Sequence, residues 1–136
     1  MNIHGHLEAQ DLRIGNILLY NGEYYAVTVI HLDLDDESEP FVEMLSNQGK
    51  SVMHVLRHTG APEAIPITDG WLFKLGFGEF ESEYFRIELH NSFKINKVEH
   101  WIAWNNTRLD NIELKFVHQL QNLFYALVGY DLKIIK

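Results

Sequence analysis

The sequence predicts an α+β fold: a small antiparallel, β-barrel-like (SH3-like) N-terminal half, then a second antiparallel sheet packed against a C-terminal helix. Three observations carry this. Residues 11–58 are runs rich in Val, Ile, Tyr and Thr broken by turn dipeptides, the pattern of short antiparallel strands. Residues 84–104 repeat it with more aromatic side chains. Residues 116–128 then change to a helical period, with Phe116, Leu120, Leu123 and Leu127 on one face. At 136 residues the chain fits a single domain, 1–136, with sub-regions 11–64 and 65–136. A hydrophobic share of 46% with only three prolines excludes a disordered chain.

The elements follow in order. Asp11-Leu12-Arg13-Ile14-Gly15-Asn16 reads as a lead-in turn. Ile17–Tyr20 and Glu23–His31 form a hairpin, because Asn21-Gly22 supports positive φ at both central positions of a type I′ turn. Residues 41–45 and 51–57 follow, joined by Asn47-Gln48-Gly49. In the latter run Val52, His54 and Leu56 share one face, and Met53, Val55 and Arg57 the other. Residues 59–64 are an ordinary connecting loop. Thr68 is placed to cap a short helix over 69–75, stopped by Gly76. Residues 84–90, 93–98 and 100–104 read as strands with turns at Asn91-Ser92 and Asn105-Asn106, and 112–114 as a further one.

Charge divides unevenly along the chain. The net value is −8. Residues 1–68 hold ten acids against Arg13, Lys50 and Arg57, whereas 69–136 hold nine acids and eight bases. Half of those ten acids form one acidic patch, Asp33, Asp35, Asp36, Glu37 and Glu39, which reads as a solvated loop. It is not an EF-hand, since Ser38 stands where the turn glycine belongs and Met44 where the bidentate glutamate belongs. The acidity makes nucleic acid an unlikely partner for the chain as a whole. The near-neutral second half still allows a local basic patch from Arg86, Lys94, Lys97 and Arg108. No apolar run is long enough to span a membrane and no leader pattern opens the sequence, so a cytoplasmic protein without membrane contact is expected.

The segment 116–128 contains no charged residue. Opposite its apolar stripe lie His118, Gln121, Asn122 and Tyr125 at i, i+3, i+4 and i+7. An uncharged polar stripe of this kind is at least partly covered, either by the protein's own strands or by another molecule. These four residues, with Trp101 and Trp104, are the candidate binding residues.

Val117-His118-Gln119-Leu120-Gln121-Asn122-Leu123, followed by Ala126-Leu127 and Gly129, resembles the C-terminal signature of small uncharacterised proteins of Bacteroidetes phages, prophages and mobile elements, typically VHQLQNLYFALTGEEL. Leu12-Arg13-Ile14-Gly15-Asn16 matches their opening LRIGN block. Ile65-Pro66-Ile67-Thr68 and Trp71-Leu72-Phe73-Lys74-Leu75-Gly76-Phe77 match in outline their middle IPLTEEWLLKFGF block. The chain departs at Phe124-Tyr125, at Asp69-Gly70 and at Tyr130-Asp131, where the group carries acidic pairs in the last two places. The resemblance implies a phage or mobile-element origin within a bacterial host cell, and no particular chemistry.

Catalytic signatures are missing. With no cysteine there is neither a thiol nucleophile nor a zinc ribbon. Nucleophile-elbow and phosphate-loop motifs do not occur. His54 and His58, or His4 and His6, are pairs without a third ligand, so neither metal nor cofactor is expected. The expected function is that of a non-enzymatic interaction protein binding a host or phage macromolecule, with a protein as the expected partner; an inhibitor of a bacterial defence system is one version. The alternative is a binder of a small nucleotide signal, and a third reading is an enzyme using His118. The sequence is compatible with a homo-oligomer.

Overall fold

Asn21-Gly22 turns the chain as its dipeptide requires, with φ of 49° and 75°, and this hairpin starts the first of two antiparallel sheets. The computed structural model describes residues 7–32, 40–56, 60–87, 90, 92–110, 112 and 114–134. The strands are β1 (Ile17–Tyr20), β2 (Glu23–His31), β3 (Phe41–Ser46), β4 (Ser51–Val55), β5 (Gly78–Glu81), β6 (Tyr84–Arg86), β7 (Phe93–Asn96), β8 (Ile102–Trp104) and β9 (Thr107–Arg108). Helices α1 (Asp69–Lys74) and α2 (Val117–Val128) complete the α+β set. The chain divides into two compact units, Met1–Pro66 with Phe116–Asn122, and Ile67–Lys115 with Leu123–Lys136.

In the first unit the sheet order is β1-β2-β3-β4, a meander. Among the described residues no β1–β4 ladder closes it into a barrel; Glu63 instead bridges Leu19 on the free side of β1. Alternation buries Leu18, Tyr25, Val27, Val42 and Met44 together with Leu7, Leu12 and Leu56. Each buried aliphatic side chain of this size contributes about 1.5–3 kcal/mol. At the hairpin end, Lys50 Nζ donates to both Glu23 oxygens at 3.0 and 3.1 Å, and Tyr25 Oη donates to Glu23 at 3.2 Å. The lysine contact holds the Glu23 carboxyl below its ordinary range, and Glu23 in turn raises Lys50. Burial, then Glu23, raises the Tyr25 phenol.

In the second unit the order is β5-β6-β7-β8-β9, each pair antiparallel. Phe93 packs edge-on against Phe124 at 4.9 Å between centroids, and Phe77 against Phe124 at 6.1 Å, so the sheet is covered by the C-terminal half of α2 as expected. The strands are shorter than their sequence runs. Asn96 Oδ1 accepts from Val98 N at 3.0 Å and Glu99 N at 2.9 Å, an Asx-type turn that ends β7 before residue 98. His100 has φ of 61° and precedes β8. Ile112 and Leu114 lie outside any strand. Two strands were not expected. β5 starts on a glycine and carries acidic residues, which obscure its pattern, and β9 has only two residues after the Asn105-Asn106 turn (φ 51° and 66°).

Thr68 caps α1 as its position implies, its Oγ1 accepting from Trp71 N at 3.2 Å, and Gly76 follows with φ of 97°. Replacing Thr68 with alanine is expected to cost about 1 kcal/mol, measurable as a lowered urea midpoint with an unchanged m-value.

Candidate functional site

The uncharged stripe of α2 meets the Arg13–Asn16 turn within the first unit. Gly15 takes φ of 94°, and Gly15 N donates to Val27 O while Val27 N donates to Asn16 O, both at 2.8 Å. That pins the turn to β2 and leaves Gly15 O and Ile17 N aimed at the helix. Gln121 answers both: its Nε2 donates to Gly15 O at 3.0 Å and its Oε1 accepts from Ile17 N at 2.9 Å. Asn122 Oδ1 accepts from Asn16 Nδ2 at 2.9 Å, and Asn122 Nδ2 donates to Asp11 O at 3.0 Å. Asn16 Oδ1 accepts from Arg13 N at 2.6 Å. The turn over 13–16 and the first turns of α2 are thus two sides of one hydrogen-bond network. Of the two covers open to the stripe, the protein's own chain takes Gln121 and Asn122.

His118 is also internal, 3% exposed. Its ring stacks on Phe116 with centroids 6.0 Å apart, and its buried Nδ1 has no hydrogen-bond partner. Burial pushes its pKa down to about 4, opposed by the carboxylate of Asp11. Imidazole in this setting is a buried group that is neutral at pH 7. Tyr125, the fourth stripe residue, is 43% exposed.

The second unit presents a different surface. Cross-strand register places Gly78 opposite Arg86, Arg86 opposite Lys94, Lys94 opposite Ala103, and Ala103 opposite Arg108. The neighbouring row, Phe85, Ile95 and Ile102, is buried, so alternation turns the cationic row outward. Aromatic rings hold the cations. The Arg86 guanidinium lies 4.0 Å over Phe80, Lys94 Nζ is 5.1 Å over Phe80 and 5.6 Å over Tyr84, and the Arg108 guanidinium is 4.6 Å over Trp101. Tyr84 and Trp101 meet edge-on at 5.6 Å. Two shallow hollows open here. One of about 310 Å³ is lined by Phe80, Ser92, Lys94, Asn105 and Asn106. The other, about 400 Å³, is lined by Tyr84, Lys94, Trp101, Ala103, Asn106 and Arg108. Asp110 takes the Arg108 Nε at 3.0 Å, but both side chains are largely exposed, and such a pair exchanges readily.

The remaining candidates separate. Trp101 lines the second hollow, whereas Trp104 packs edge-on to Phe93, centroids 6.4 Å apart. Lys97 leaves the cationic row for Glu79, at 3.3 Å, and the Phe85 ring. Asp33, Asp35, Asp36, Glu37 and Glu39 lie outside the described residues, as do His4, His6 and His58. His54 Nδ1 is 2.6 Å from Val55 O and the ring lies against Tyr20. Among the described residues no three His, Asp or Glu side chains gather as a metal site, and no helix is long and apolar enough to cross a membrane. Comparisons with protein families, with curated proteins and with solved structures find no match to this chain.

Proposed function

We propose that this protein is a non-enzymatic binding protein of phage or mobile-element origin that engages an anionic partner on the outer face of β5–β9. The observation that carries it is the register row Arg86–Lys94–Ala103–Arg108. Arg86 and Lys94 stand directly opposite each other on β6 and β7, where like charges destabilise a sheet, and Arg108 on β9 lies beyond Ala103 in the same row. Their rings hold them in place at low entropic cost before any ligand arrives. The three sequence blocks shared with phage-like proteins support the origin. Within that setting the protein acts by occupying or sequestering a host component, the version of anti-defence activity that this face suits. His118 is left out of this reading because it is buried.

Equilibrium binding of fluorescent inorganic polyphosphate tests the reading. The protein is expected to bind at low salt. The double variant R86Q/R108Q is expected to lose at least tenfold, while K50Q, at the Glu23 contact in the other unit, keeps its affinity. Equal affinity in all three proteins would overturn the assignment of the face.

A further inference from the structure

Resting on the anion-binding face proposed above, we infer that its ligand is a single-stranded nucleic acid, with phosphates along the cationic row and bases stacked on the ring-backed guanidinium groups. The row crosses three strand spacings, about 14 Å, which exceeds what one phosphate group can contact and calls for successive phosphates. The two hollows share Lys94 and Asn106, so a chain passing from one to the other keeps a cation at the junction. Each end of the row is a guanidinium laid over a ring, Arg86 on Phe80 and Arg108 on Trp101. A guanidinium plane and an aromatic face both accept an unstacked base. Asn105 and Asn106 bring amide groups to the first hollow, where they can meet base edges.

A duplex fits less well, because its bases are already stacked and its phosphates follow a curved path. An acidic peptide would satisfy the charge but leave the guanidinium and aromatic faces unused. The overall charge of −8 opposes long-range attraction of a polyanion, so affinity rests on the local contacts of this face.

Fluorescence anisotropy with labelled oligothymidine, a duplex of the same length, thymidine monophosphate as competitor, polyphosphate and polyglutamate separates these cases. For three neutralised phosphates, log K against log salt is expected to have a slope of about −2, a roughly 20-fold loss between 50 and 200 mM. R86Q is expected to reduce that slope by about 0.7. R108K is the decisive variant, since lysine keeps the charge but loses the plane. It should weaken oligothymidine severalfold, leave polyphosphate unchanged and leave the slope unchanged. If R108K binds both alike, or polyphosphate or polyglutamate matches oligothymidine, the face is a general anion site and the nucleic-acid inference fails alone. Preference for the duplex, or displacement by the monophosphate at concentrations equal in nucleotide, also overturns it. If neither oligothymidine nor polyphosphate binds to protein shown folded by circular dichroism, the inference and the underlying reading fail together.

Discussion

Replacing Gln121 with leucine is expected to destabilise the protein by about 3–5 kcal/mol. The side chain is 3% exposed and satisfies Gly15 O and Ile17 N at once. Leucine fills a similar volume but leaves a backbone acceptor and a backbone donor buried, each costing about 1–3 kcal/mol. The network also loses the support that Asn16 gives through its 3.4 Å contact with Gln121 Oε1. Urea unfolding followed by circular dichroism measures the loss. Tyr125→Ala on the same helix, at a 43% exposed position, is the control and should cost under about 1 kcal/mol. Equal effects of the two substitutions would show that the amide network is dispensable.

Acid is expected to weaken the fold through His118. In the unfolded chain its imidazole titrates near the ordinary 6.5, and in the folded protein at about 4. Above pH 6.5 both states hold the ring neutral and it adds no pH dependence. Below that the unfolded chain takes up the proton first, so stability falls as the pH falls, until the folded state also protonates near pH 4. The loss reaches roughly 3 kcal/mol at that point. Burial, which strips water from the charged ring, is the source of the shift, and the buried Nδ1 has no hydrogen-bond partner. Unfolding free energies at pH 7 and pH 4, for the native protein and H118L, test this. Leucine should match or exceed the native stability at pH 7 and exceed it by roughly 3 kcal/mol at pH 4. Parallel pH profiles for the two proteins would rule the mechanism out.

Local chemistry was readable in the sequence, and distant pairing was not. Asn21-Gly22, Thr68 and Gly76 each act within a few residues, so their roles follow from residue type and position. The lack of charge on α2 pointed to a stripe at least partly covered, and the structure buries His118 and Gln121 but leaves Tyr125 exposed. What covers Gln121, the Gly15–Ile17 backbone, is over a hundred positions away, and nothing local to either segment specifies the other. The basic residues of the second half were likewise visible as a group of four. Only the register, set by the tight turns, aligns Arg86, Lys94 and Arg108 in one row and sends Lys97 to Glu79. Trp101 and Trp104, three apart around a short strand, fall to opposite environments for the same reason.

The bond from Ile17 N to Gln121 Oε1 spans 104 positions, and this sets a clock on biosynthesis. At ribosomal rates of about 5–20 residues per second, the start of β1 waits roughly 5–20 s for its helical partner to be made. During that interval the β1–β4 meander can pair through its hairpins, yet the Gly15–Ile17 backbone stays open to water or to any other hydrogen-bonding segment. Closing so long a loop makes completion of this network a late, slow step. The nascent first sheet is the species most exposed to chaperones and to mispairing.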